Sequence, residues 1–384
     1  MSRAALHPTV VQDPADVQFV SRSLATMVDA RRLAAPAGTA AAPADDADIY
    51  VTIDSVSKDG NFDAYIHVGV VGGDQDIPLM VDSGNSSLIL PSLDVITEIP
   101  GYDKIYDVGT DTVTEPWGAP AKLVTGPIVL PCEGGGSYTI ARCQFYACIG
   151  LNDQGKPTAN FGIGCVVPWS IGDKNGLQSP LSYDPDYTCV QVDYAPVDQV
   201  FSASNMPHVA PGSRLILSQN QPEYPALFDI LPDTIWMSLR PKSLSIGNSP
   251  TEWPGTREAT SIAMVDTGGG PVFLSDPQNY LGRLNFPGVT LVDLPEPNWP
   301  DTCAGITDDL AFSLSDGHQT MSFSLPTAAL PQSVQGLSLV VCQNNPYMRG
   351  ADGMNIGGLT ALFYSILIDY ANAKVGFKAK NPDA

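Results

Sequence analysis

From residue 49 onward, apolar residues come in short runs or alternate with polar ones. Runs at 65–71, 77–81, 88–90, 215–217, 235–239 and 264–265 have the length and period of strands. Glycine, proline and aspartate separate them, as turns require. Helical periodicity is scarce here; residues 276–284, with Ser275 as a cap, form one short candidate. This pattern predicts an all-β protein.

The first 48 residues read differently. Asp13, Pro14 and Asp16 make a good helix start, and Val17, Val20, Leu24 and Met27 follow at helical spacing. An Ala/Pro/Gly segment at 34–47 reads as a linker. The segment is expected to be either a tethered surface helix or an inhibitory leader whose Arg22, Arg31 and Arg32 approach acidic groups.

Chain length sharpens the picture, since 384 residues suffice for two packed cores. The 35 glycines and 34 prolines favour many short strands joined by turns. Nineteen basic residues against 41 acidic ones give a net charge of −22. That field repels phosphates and anionic headgroups, so neither nucleic acid nor membrane is an expected partner. No apolar run reaches transmembrane length, and the N-terminus lacks a secretion-signal pattern. A cytoplasmic protein and a secreted form trimmed of its signal would both look this way. Seven cysteines allow at most three disulfides.

An internal repeat carries the chemistry. One apolar strand runs into Met80-Val81-Asp82-Ser83-Gly84, and 184 residues later another runs into Met264-Val265-Asp266-Thr267-Gly268. Each is followed in its own half by an apolar segment ending in glycine: Phe161-Gly162-Ile163-Gly164, then Asn355-Ile356-Gly357-Gly358. Two copies of one plan imply two lobes, 49–220 with Asp82 and 221–384 with Asp266, related by a pseudo-twofold axis. An acid directly after an apolar strand is poorly solvated, and the following glycine permits close backbone approach. Two such turns brought together would place two carboxylates side by side, sharing one proton. Such a pair can activate a water and polarise a carbonyl without metal or cofactor. The four histidines (His7, His67, His208, His318) have no ligand spacing.

These residues resemble the pepsin-like aspartic proteases. IPLMVDSGNSSLILPS at 77–92 is similar to the family's first active-site segment, and 355–377 to its C-terminal signature. Residues 65–69 resemble the strand before the first acid, and 213–218 the segment that crosses between lobes. The resemblance covers about residues 49–380. It implies a bilobal all-β fold and endopeptidase activity, with Asp82 and Asp266 catalytic and a peptide or protein as substrate. It further implies a monomer and a disulfide between Cys303 and Cys342. The pairing of Cys132, Cys143, Cys148, Cys165 and Cys189 stays open.

Departures from the family pattern gather around the acids. Asn85 stands where a serine usually bonds the first acid. Gly269 stands where a hydroxyl residue usually supports the second, which should deprive Asp266 of a donor and raise its pKa. Ile89 replaces a tryptophan, and Gly358 an acid. Trp117-Gly118 is the expected tip of a substrate-covering hairpin. With Ser83, Gly84, Thr267 and Gly268, these residues complete the expected site. Two other functions remain compatible with this sequence: acid–base chemistry on a non-peptide metabolite, and a catalytically silent binding or inhibitory protein.

Overall fold

The computed structural model describes residues 48–53, 55–56, 64–73, 76–165, 175–184, 186–195, 212–231, 237–247, 249–251, 261–275, 290–292, 303–330, 335–336, 338–342 and 353–380. Of the N-terminal segment expected at 1–48, residues 1–47 lie outside them, as do the helix expected at 276–284 and residue 235, where one predicted strand begins. Described chain in that region starts at residue 237, and the strand is Ser238–Ile246.

The protein is mostly β, and its strands fall into three sheets. Alternation is clearest in strand Pro120–Pro131, where Ala121, Val124, Ile128 and Leu130 point into the core. Strands Leu88–Leu90, Leu339–Cys342, Gly353–Ile356 and Tyr364–Asp369 are buried at every residue, which explains their lack of alternation. Among the described residues the α-helices are short, Asp94–Thr97 and Gly358–Phe363. None is long and apolar enough to cross a membrane.

An eight-stranded sheet is built from the first half of the chain and a ten-stranded sheet from the second. A six-stranded sheet takes strands from both. In it Ile49–Thr52 pairs with Arg214–Ser218, and Arg214–Ser218 with Cys189–Asp193. Cys189–Asp193 then pairs with Tyr364–Asp369 from the far end of the sequence. One contiguous apolar core includes residues of both halves, from Val51 to Phe377.

The two acid-bearing strands sit in matching frames. Strand Ile77–Asp82 pairs in parallel with Asn160–Gly162, placing Met80 opposite Asn160 and Asp82 opposite Gly162. Strand Ile262–Val265 pairs in parallel with Gly353–Ile356, placing Met264 opposite Asn355 and Val265 opposite Ile356. The repeat seen in the sequence is thus a repeat of strand pairing.

Candidate active site

Each acid leaves the end of a buried strand and enters a tight turn. Asp82 and Asp266 are 4% and 8% exposed, and their carboxyl groups are hydrogen-bonded to each other. Their approach requires the two glycines. A Cβ on Gly84 would lie 2.5 Å from Asp266 Cγ, and one on Gly268 would lie 2.6 Å from Asp82 Cγ. Any other residue there would wedge the acids apart.

The residues between acid and glycine lock the turns reciprocally. Ser83 N–H donates to Thr267 Oγ1 at 3.1 Å, and Thr267 N–H donates to Ser83 Oγ at 2.9 Å. Each hydroxyl then donates across the junction, Ser83 to the Val265 carbonyl at 3.0 Å and Thr267 to the Val81 carbonyl at 3.1 Å. All four bonds are buried, so every backbone group they satisfy would otherwise be orphaned. The two turns are therefore one unit and not separate structural turns.

The outer oxygens are held by two residues not singled out from the sequence. Asn160 Nδ2 donates to Asp82 Oδ2 at 2.8 Å, and Asn355 Nδ2 donates to Asp266 Oδ2 at 2.7 Å. Both asparagines lie two positions before the glycine of their segment, Asn160-Phe161-Gly162 and Asn355-Ile356-Gly357. The signal that identifies them is an amide recurring at the same place in two buried apolar runs.

The two departures beside the acids, Asn85 and Gly269, take different places. Asn85 supports the first acid through Asn160: its Nδ2 donates to Asn160 Oδ1 at 2.8 Å and to the Ser87 carbonyl at 2.7 Å. Ser87 Oγ in turn donates to Asn85 Oδ1 at 3.1 Å. Asp266 has a side-chain donor in Asn355, while the Gly269 amide donates to the Asp266 main-chain carbonyl at 3.1 Å. A Cβ at 269 would stand 2.6 Å from Asn355 Nδ2 and 2.8 Å from Asp266 Oδ2, so glycine makes room for that amide.

Burial raises the pKa of both acids. Asp82 is pushed well above the carboxylate range by burial first, then by the charge of Asp266 and the bond to it. The Asn160 and Gly84 donors oppose this rise. Asp266 is raised by burial alone, against the bonds from Asp82, Asn355, Gly268 and Gly269. Its upward shift therefore has a different cause from the lost donor expected from the sequence.

The hairpin is present. Strands Asp107–Thr114 and Pro120–Pro131 pair up to Thr114 opposite Pro120, leaving Trp117 in the connecting turn, 38% exposed. Glu115, itself buried, organises the turn by accepting from the Trp117 and Ala119 amides, each at 2.7 Å, and from Thr158 Oγ1 at 3.1 Å. Gly118 has φ of 94°, and a Cβ on it would meet the Asp153 carboxylate.

Ile89 packs in a small buried cluster with Tyr146, Ala119, Ala121, Cys148 and Leu177. Gly358 is the first residue of helix Gly358–Phe363. Cys303 and Cys342 form a disulfide between directly paired strands. Cys132, Cys143, Cys148 and Cys189 are free thiols, and Cys165 is buried.

No protein-family profile matches the chain, and a search of curated proteins finds no match.

Proposed function

We propose that this protein is a pepsin-like aspartic endopeptidase, with Asp82 and Asp266 as its catalytic pair. The observation that carries this reading is the buried carboxyl–carboxyl contact between turns from the two halves, locked by the reciprocal Ser83–Thr267 bonds. Like charges this close cannot both ionise at ordinary pH, so the pair holds one proton. The ionised member takes a proton from a water, whose oxygen attacks the peptide carbonyl. The protonated member passes its proton to the carbonyl oxygen, giving a tetrahedral diol. Collapse of the diol breaks the C–N bond. The nitrogen receives the proton taken from water, and a diol hydroxyl returns one to the pair. In this reading the substrate is an extended peptide between two β lobes, and the hairpin with Trp117 covers it.

The altered surroundings of the acids motivated the non-peptide alternative. That motive weakens once Asn160 and Asn355 supply the donors that Asn85 and Gly269 do not. Incubating a denatured protein substrate from about pH 2 to 7, with and without a hydroxyl-bearing peptide mimic of the tetrahedral state, tests the proposal. Cleavage that the mimic blocks, and that Asp82→Asn and Asp266→Asn each reduce by at least about a hundredfold, is expected. Absence of cleavage across that range would sink it.

A further inference from the structure

The two segments that flank the acids are secured differently. In the second half Asn355-Ile356-Gly357 runs straight into helix Gly358–Phe363, whose Leu359 amide donates to the Gly270 carbonyl at 2.9 Å. In the first half residues 163–165, which follow Asn160-Phe161-Gly162, are neither helix nor strand. Their backbone nonetheless lies against the turn that carries Asp82. Ile163 N–H donates to the Asp82 main-chain carbonyl and Gly164 N–H to the Asn85 carbonyl, each at 2.8 Å. The approach is close, since a Cβ on Gly164 would stand 2.6 Å from the Ser83 carbonyl oxygen.

A grip on this segment comes from the other half of the chain. Tyr370 donates its hydroxyl to the Ile163 carbonyl at 2.7 Å, and the same oxygen stands 3.2 Å from Ser179 Oγ. The phenol is presented by a braced turn. Tyr370 N–H donates to the Thr188 carbonyl at 2.9 Å. The fully buried Asp369 accepts from the Asn372 amide at 3.0 Å and from Asn372 Nδ2 at 2.8 Å. Burial raises the phenol's pKa above its ordinary value, which keeps it a hydrogen-bond donor throughout the range in which carboxyl groups titrate.

We propose that Tyr370 is a positioning residue for Asp82: its hydroxyl, brought from the other half of the chain, holds residues 163–164 against the turn that carries the acid. The proposal rests on the peptidase reading for what Asp82 acts upon, but the hold itself follows from the bonds. Ile163 is fixed on both sides, its N–H to Asp82 and its C=O to Tyr370. Deleting the hydroxyl leaves a buried carbonyl unpaired, and the segment gains by turning that carbonyl toward another donor. That movement draws its amides off the Asp82 turn. A displacement of about half an ångström at the reacting carboxyl is enough to slow the chemistry roughly tenfold.

Tyr370→Phe in the full-length protein removes the hydroxyl and keeps the ring. The Ile163 and Gly164 amides should then exchange with solvent about tenfold faster. So should the Gly84 amide, which reports on the carboxyl group directly because it donates to Asp82 Oδ1 at 2.8 Å. The Gly269 amide, bonded to the Asp266 main-chain carbonyl, should keep its protection, whereas a merely structural loss would speed all four together. In turnover, kcat should fall about tenfold with KM changed by less than about twofold, and affinity for the hydroxyl-bearing peptide mimic should fall with kcat. If Tyr370→Phe does not fold, Asn372→Ala loosens the turn that presents the phenol and should move the same amides in the same direction. If the parent cleaves nothing, the peptidase reading fails and the Gly84 amide still decides the hold. Unchanged exchange at Gly84 overturns the proposal, as does equal acceleration at Gly269. With an active parent, a variant that keeps full kcat overturns it as well.

Discussion

Thr267 shows how much one side chain does at this junction. Its Oγ1 accepts from the Ser83 amide and donates to the Val81 carbonyl, and both partners are buried. Thr267→Val keeps the shape and deletes both bonds, leaving an N–H and a C=O with nothing to pair with. The expected cost is about 2–4 kcal/mol, the desolvation of two orphaned groups. Urea unfolding should show it as a lower midpoint at unchanged slope. Serine at 267 should recover most of the loss because its hydroxyl can make the same two bonds. At this scale the sequence was read well where the chemistry is local: an acid, a hydroxyl and a glycine in consecutive positions form a recognisable turn. It was read poorly at Asn160 and Asn355. Their partners are remote in sequence, 78 and 89 residues away, and neighbouring apolar residues make each look like part of a plain core strand.

At the scale of elements, the hairpin at 107–131 depends on a carboxylate rather than on a two-residue turn. Glu115 satisfies the Trp117 and Ala119 amides and reaches Thr158, two residues before Asn160. Glu115→Ala should speed hydrogen exchange at those two amides by at least about tenfold, the loss of roughly one hydrogen bond each, while strand amides of the eight-stranded sheet keep their protection. If the hairpin covers bound peptide, the same variant raises KM more than it lowers kcat. Sequence reading placed this turn at Trp117-Gly118 through the family resemblance, which calls for a hairpin after the first acid. It did not find Glu115, since a buried acid in a turn looks like any surface acid until its donors are seen. The disulfide is a second element-scale device. Cys303 and Cys342 lie directly opposite each other on antiparallel strands and close a loop spanning 39 positions. Cys303→Ala with Cys342→Ala should lower unfolding stability by about 3–4 kcal/mol in the chain-entropy model, read from a denaturation midpoint under oxidising conditions.

For the molecule as a whole, strands from both halves meet in the six-stranded sheet, so the contact between the acids is supported far from the acids themselves. The same is true of Tyr370, whose hydroxyl donates to the Ile163 carbonyl at 2.7 Å, one residue beyond the strand that flanks Asp82. Folding forces two carboxyl groups into one buried site, and this has a sign for stability. Both acids have folded-state pKa values above those of an unfolded chain. Their contribution is therefore fully present below the unfolded carboxyl range, near pH 4, and is lost as pH rises through the folded values. Asp82→Asn keeps a side chain that can donate to Asp266 and removes one of the two ionisations. Near pH 3 the variant and the parent should melt at similar temperatures. Above about pH 5 the variant should become the more stable protein, by a margin that grows with pH until the pair is fully ionised in the parent. Thermal midpoints of both proteins from pH 3 to 8 measure that margin. A variant uniformly less stable at every pH would mean that the two acids are not held together against their own charge. If the proposed peptidase reading holds, activity should be greatest in acid, where the proton held between the two acids destabilises the fold least.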